Sequence, residues 1–289
     1  MLTMIASNPR DRGHMITKKM LLIIALSLTI TFYACEEEKM NTNTNTKTTI
    51  DDVKPANWEN LAQKKIFFGH QSVGNNIISG MKDLMQKNPN IKLRILETEN
   101  PSDFASGIFA HHGIGQNGAP ESKIKDFVRI MDQGIGGKAD IAFFKFCYID
   151  FNTHTNVQQL FNNYKNTMSI LKEKYPQTVF MHCTVPLVIK TKTSPISMIK
   201  KILGRDDRMQ NIARNDFNEL MRKEYGEKAH IFDIAEIEST YPDGSRETFV
   251  KNGNTYYALV LAYTDDGGHL NELGRKKVAE KLLMLLINL

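Results

Sequence analysis

The stretch Lys65-Ile66-Phe67-Phe68-Gly69-His70-Gln71-Ser72-Val73-Gly74-Asn75-Asn76 carries a short apolar segment straight into a turn and then into an amphipathic pattern. Residues 65–68 read as a buried strand and 74–86 as a helix, because the apolar spacing changes from continuous to helical across Ser72. The alternation continues downstream. Strands are expected over 91–96, 141–147, 178–185 and 230–234, helices over 120–131, 157–175 and 206–225, and a last helix over 275–289. Pro120 suits a first helical turn. Continuously apolar strands between amphipathic helices specify a parallel sheet covered on both faces. With no internal repeat and no second boundary, 61–289 reads as one α/β domain, within the usual size range. Two stretches break the alternation: 190–204, a long basic loop containing Pro195, and 241–264, a hairpin excursion turned at Asp243-Gly244 and Asn252-Gly253-Asn254. Both fall at the carboxyl edge of the sheet, where such folds bind ligands.

Ser72 lies on that edge. Between a first strand and its helix its hydroxyl is exposed, and its N–H lies near a helix N-terminus suited to a developing oxyanion. A serine in this place also serves as a plain helix N-cap. At the far end of the domain, Asp265-Asp266-Gly267-Gly268-His269-Leu270-Asn271-Glu272-Leu273-Gly274 precedes the last helix. It sets an acid and an imidazole three residues apart in a glycine-softened turn. A nucleophilic hydrolase needs such a pair to hold its imidazole in one tautomer. Taken together, the serine and the Asp-x-x-His turn favour catalysis over capping.

In order and spacing from about Lys64 to Leu289, the sequence resembles the SGNH (GDSL-type) hydrolase superfamily. The match is most specific from Asp266 to Gly274, with Val278-Ala279 and Leu282 after it. The resemblance implies a flavodoxin-like three-layer α/β sandwich with a central parallel sheet of about five strands. It implies Ser72 as nucleophile, His269 as general base and Asp266 as its orienting acid; Asp265, one residue out of register, is left as a solvated turn residue. It also implies two further oxyanion donors. One is a glycine N–H in the loop 111–120, with Gly118 preferred to Gly115 because it stands just ahead of the helix. The other follows the third strand, where the family's Gly-x-Asn-Asp block is replaced by Phe146-Cys147-Tyr148-Ile149-Asp150-Phe151-Asn152, leaving Asn152 or the Tyr148 hydroxyl as candidates. The family's Gly-Asp-Ser is likewise His70-Gln71-Ser72. The implied activity is a serine ester hydrolase, free of metal, nucleotide or redox cofactor, acting on acylated envelope or environmental glycans such as O-acetyl polysaccharide. An O-acyltransferase using the same triad, or a non-catalytic glycan-binding lipoprotein, are the alternatives.

Lys18 and Lys19 precede an apolar run over 20–33 that ends at Ala34-Cys35. A basic start, a short apolar core and a small residue at the junction describe a secretory signal, too short for a comfortable membrane span. It resembles a bacterial lipoprotein signal, which implies lipidation of Cys35 and a membrane anchor in the cell envelope, periplasmic or at the outer membrane or surface. Met15 is then a candidate start, and Glu36-Glu37-Glu38 resembles a surface-export signal. Residues 35–60, acidic and then rich in Asn and Thr, read as a flexible tether. A coil of about 20 residues spans on the order of 25 Å r.m.s.. Residues 1–34 carry +3 of the chain's formal +5, so the remainder, at +2, makes no electrostatic case for nucleic acid.

Cys147 and Cys183 each lie near the end of a strand-like run and read as buried free thiols, since side-by-side strands rarely offer disulfide geometry. Neither is spaced for a metal site. His111, His112 and His154 fall in expected loops on the catalytic edge as candidate substrate contacts. His70 packs beside Ser72 or lines the pocket, and His182 reads as a core residue. Phe67-Phe68 and Phe143-Phe144 read as core; Tyr256-Tyr257 read as a sugar-stacking platform or as packing.

Overall fold

The computed structural model describes residues 49–190 and 207–289, without the side chains of 207–209. The expected signal over 1–34, most of the expected tether and nearly all of the expected loop over 190–204 lie outside the described residues. In chain order the elements are α1 (Pro55–Gln63), β1 (Lys65–His70), α2 (Val73–Lys87), β2 (Ile95–Glu97), β3 (Ile108–Gly113), α3 (Pro120–Ile130), β4 (Ile141–Phe144), α4 (Val157–Lys174), β5 (Val179–Phe180), β6 (His182–Cys183), α5 (Asp207–Tyr225), β7 (Ile231–Phe232), α6 (Ile234–Ser239), β8 (Thr248–Lys251), β9 (Asn254–Tyr257) and α7 (Glu272–Ile287).

Five strands form a wholly parallel sheet in the order β2-β3-β1-β4-β5, as the alternation of strands and helices requires. The β5 strand bends at Met181, whose N–H still reaches the Ala142 carbonyl at 3.1 Å. Beyond the bend, β6 pairs in parallel with β7. The strands separate two cores. Ile66 and Phe68 of β1 face one and Phe67 the other, following the two-residue period of a strand buried on both sides. On the first face, α2 buries Ile77, Ile78, Met81 and Leu84, and α7 buries Val278, Ala279, Leu282 and Leu286, the spacing of helical stripes. On the second lie α3, α4 and α5, packed around Phe127, Phe161 and Phe217.

The α2–α7 contact positions the site. A Cβ on Gly80 would fall inside contact distance of the Arg275 carbonyl oxygen, so glycine is what lets the two backbones approach. Arg275 Nε donates to Asp83 Oδ2 at 2.8 Å across the same seam. The N-terminal ends of both helices thereby meet at the carboxyl edge of the sheet.

Two features of the fold depart from the sequence reading. The strand β3 occupies part of what reads as a loop; it lies between β2 and β1, and its apolar Ile108-Phe109-Ala110 is masked by the histidines that follow. The folded domain also begins before residue 61. Ile50, Trp58 and Leu61 are all buried in the first core, so α1 covers the sheet rather than forming tether. Trp58 is 1% exposed, and burying an indole is worth more than the entropy of a short flexible segment retains.

Candidate active site

Ser72 follows β1 with φ 54° and ψ −110°, a left-handed backbone that costs a non-glycine residue on the order of 1–3 kcal/mol. It occupies the N-cap position of α2, yet its side chain makes no capping bond. The hydroxyl points instead to the far end of the chain, where Oγ lies 2.6 Å from His269 Nε2.

His269 Nδ1 lies 2.6 Å from Asp266 Oδ2. That contact places the ring proton on Nδ1 and leaves Nε2 to accept from the serine hydroxyl. The other carboxylate oxygen of Asp266 accepts the N–H groups of Gly268 at 2.9 Å and His269 at 2.8 Å. Burial by itself raises the Asp266 carboxyl, but these two N–H groups and the His269 ring hold it well below the usual carboxylate range. The turn is fixed from outside as well: Asn76 of α2 accepts the Leu270 N–H at 3.2 Å. Asn271 caps α7 through the Gly274 N–H, and its amide donates to Asp265 Oδ1 at 3.2 Å. The side chains of His269 and Asp266 are 42% and 56% exposed, so the pair opens to solvent.

The loop after β3 is arranged differently from the sequence expectation. The Gly118 N–H donates to Asp150 Oδ1 at 2.8 Å and the Gly115 N–H to Asp126 Oδ2 at 2.9 Å, so both expected oxyanion donors are committed to carboxylates. Gly115 (φ 54°) is required sterically, since a Cβ there would sit 2.6 Å from the Lys123 amide nitrogen. Asn152 is exposed; it closes its own turn, its N–H on Thr155 Oγ1 and its side chain on the His154 N–H. Asp150, which reads only as part of a broken family block, proves central. It accepts the Cys147 N–H at 2.7 Å and pairs with Lys123 inside the protein. Gln71 accounts for the altered residue before the serine: its amide donates to the carbonyls of Ile114 (2.9 Å) and Gly115 (2.5 Å), tying the β1 turn to the β3 loop.

Tyr148 lies within the site. Its hydroxyl is 3.5 Å from His269 Nε2, and the two rings meet edge to face at 5.6 Å. Arg214 of α5 donates from Nε to the Tyr148 carbonyl at 2.8 Å. No sequence pattern marked Arg214; it sits on an otherwise polar helix face and is 1% exposed.

The histidines divide. His70 is buried beside the turn, with Nε2 3.1 Å from His111 Nδ1. Burial, with Lys145 and the neighbouring histidines, pushes it down to about 2, so it stays neutral. His112 pairs with Glu99 at 3.6 Å, and His154 lies in the exposed turn of Asn152. His182 is core, bonded to the Tyr164 hydroxyl at 2.8 Å and stacked on Tyr225. Among the described residues no cluster of His, Cys, Asp or Glu could hold a metal ion. Cys147 and Cys183 are both buried and free. Tyr256 stacks on Phe249 within the β8–β9 hairpin, while Tyr257 lies under the Arg246 guanidinium at 4.1 Å.

A family model described as GDSL-like Lipase/Acylhydrolase matches residues 44–282. No curated protein matches the chain. Among solved structures, a GDSL-like lipase from Bacteroides thetaiotaomicron is 13% identical, over 81% of this chain and 98% of that one, with a TM-score of 0.45. An acetyl xylan esterase is 16% identical, over 76% and 97% of the two chains, with a TM-score of 0.42.

Proposed function

Because the chain belongs to the GDSL-like lipase/acylhydrolase family, we propose that it is a serine ester hydrolase working through Ser72, His269 and Asp266. The observation that carries this reading is the 2.6 Å approach of Ser72 Oγ to His269 Nε2, made by a serine that forgoes its cap. Ser72 Oγ attacks the ester carbonyl while its proton passes to His269 Nε2. The imidazolium, held by ionised Asp266, then protonates the departing alcohol oxygen as the C–O bond breaks. Water, deprotonated by the same nitrogen, releases the acid and restores the serine.

The substrate class we assign is an acylated glycan, such as an O-acetyl polysaccharide. A triad whose acid and base are half exposed suits an ester displayed on a polymer, which need not be engulfed. The segment from Lys18 to Cys35 supports a lipid anchor at Cys35 and a place in the cell envelope, where such polymers occur. Hydrolysis of p-nitrophenyl acetate and release of acetate from acetylated polysaccharide test the reading. Wild type should turn over both and Ser72→Ala neither; equal rates for the two proteins would end the proposal.

A further inference from the structure

We propose that the Tyr148 hydroxyl is the side-chain oxyanion donor of this site, standing where the family carries an asparagine amide, and that Arg214 positions it. The proposal rests on the ester-hydrolase reading and deepens it. Among the described residues, the other candidates of these loops are turned elsewhere: the N–H groups of Gly115 and Gly118 donate to carboxylates, the Gln71 amide to two carbonyls, and Asn152 sits in an exposed turn where its backbone N–H donates to Thr155 Oγ1 and its side-chain oxygen accepts the His154 N–H. The phenol is close to both reacting groups. It lies 3.5 Å from His269 Nε2, the same nitrogen that Ser72 Oγ approaches at 2.6 Å. At 3.5 Å its bond to the imidazole is weak, so Nε2 stays with Ser72 and the phenol is left for a substrate oxygen.

The ring is held rather than loosely packed. Its edge meets His269, its backbone carbonyl takes the Arg214 Nε, and the Arg214 guanidinium lies 5.8 Å from the ring centroid. A Cβ on Gly268 would come within 2.9 Å of the ring carbon bearing the hydroxyl, so the glycine beside His269 makes room for the phenol. Arg214 is itself fixed by Asn211, which accepts from Nη1 at 2.8 Å. Donors fixed in advance cost no reorganisation during reaction.

In the reaction, the Ser72 Oγ–C bond forms, the carbonyl π pair moves onto oxygen, and that oxygen accepts a hydrogen bond from Tyr148, which keeps its proton throughout. The Ser72 proton travels to His269 and on to the leaving alcohol. A phenol, unlike an amide, can titrate. The groups facing it are Ser72 at the β1 turn, Asp266 and His269 in the catalytic turn, Cys147 on its own segment and Arg214 from α5. Burial, then the negative charge of Asp266 and the nearness of Cys147, raises the phenol above its ordinary value, against smaller opposing effects of Ser72 and Arg214. The donor is therefore protonated at neutral pH and fails only in alkali.

The test is kinetic. Tyr148→Phe should lower kcat about 10²–10³-fold, the usual loss of one oxyanion donor, with KM little changed and Ser72 still labelled to completion by a serine-directed phosphonate. Replacing Tyr148 with 3,5-difluorotyrosine, a more acidic phenol of nearly the same size, should move the alkaline limb of kcat to lower pH, which a merely structural ring would not do. Arg214→Lys should lower kcat less than Tyr148→Phe and leave that limb in place. A Tyr148→Phe kcat within about threefold of wild type, or an alkaline limb unmoved by fluorination, overturns the assignment. If Ser72→Ala is as active as wild type, the hydrolase reading itself fails. If only the Tyr148 variants are silent, that reading stands without this donor.

Discussion

The ammonium of Lys123 and the carboxylate of Asp150 meet at 2.6 Å with no exposure of either side chain. Asp150 also accepts the N–H groups of Gly118 and Cys147, so one buried carboxylate ties the loop after β3 to the turn that carries Tyr148. Removing one partner of a buried pair leaves an uncompensated charge, typically at a cost of about 3–5 kcal/mol. Asp150→Ala should lose that much in urea unfolding and lower kcat as the Tyr148 turn loosens. A loss under about 1 kcal/mol would show that the pair does not hold these segments together.

Asp266→Asn separates electrostatics from folding. The asparagine oxygen can keep the Gly268 and His269 N–H groups, but its NH₂ then faces His269 Nδ1 and favours the tautomer with the proton on Nε2. The expected loss in kcat is about 10³–10⁴-fold, as when a triad acid becomes an amide, with an unfolding midpoint at neutral pH modestly below that of wild type. Because the folded-state value of Asp266 is depressed, its contribution to stability is present above the unfolded carboxyl value of about 4 and is lost as pH falls below it. The midpoints of wild type and variant should therefore converge in acid. Unchanged kcat in Asp266→Asn would remove Asp266 from the mechanism.

The seam between α2 and α7 gives a test of how the fold makes the site. Gly80→Ala puts a methyl group against the Arg275 backbone carbonyl, which no side-chain rotation relieves. Overpacking of this kind costs about 1–3 kcal/mol. The displaced helices begin at Ser72 and just after His269, so kcat should fall as well, although residue 80 lies two turns from the chemistry. A Gly80→Ala enzyme of wild-type stability would mean the helices are not held as closely as described.

Sequence pattern was most informative where a physical period governs it. The strand-to-helix switch at Ser72 and the stripe of α7 carry the parallel sheet, because continuous and helical apolar spacings differ plainly. The Asp266–His269 spacing is legible because a local turn brings those residues together. What escaped is non-local. Strand β3 lies between two neighbours but ends in His111-His112-Gly113, so its polarity reflects the site beside it. The capture of the Gly118 N–H by Asp150, and of the Tyr148 carbonyl by Arg214, joins segments 32 and 66 residues apart with no periodic trace. Trp58 went unread because a tryptophan amid polar residues shows its burial only once α7 is there to cover it.

Glu238 of α6 gives a prediction about pH. One carboxyl oxygen accepts the Leu187 N–H; the other is buried without a partner. Burial pushes the group up to about 8, against the Leu187 N–H, Lys145 and Arg214, so in the folded protein it is protonated at neutral pH. The unfolded chain ionises it at about 4.3. A raised folded value in an acid means that the stabilisation is whole below the unfolded value and drains away as pH rises toward 8. Glu238→Gln imitates the protonated acid and cannot ionise. Its unfolding free energy relative to wild type should rise steadily from pH 5 to pH 8, while slopes due to other groups, buried Lys145 among them, recur in both proteins. The Glu238 carbonyl, which accepts the Val260 N–H at 2.9 Å, is unaltered by the change. The segment around Val188 and Ile189, which bonds Leu259 and Gly267, therefore keeps its support beside the catalytic turn, and kcat at pH 7 should stay within about twofold of wild type, against the tenfold that 1.4 kcal/mol represents. Parallel stability curves for the two proteins across that range would show that Glu238 is ionised in the fold.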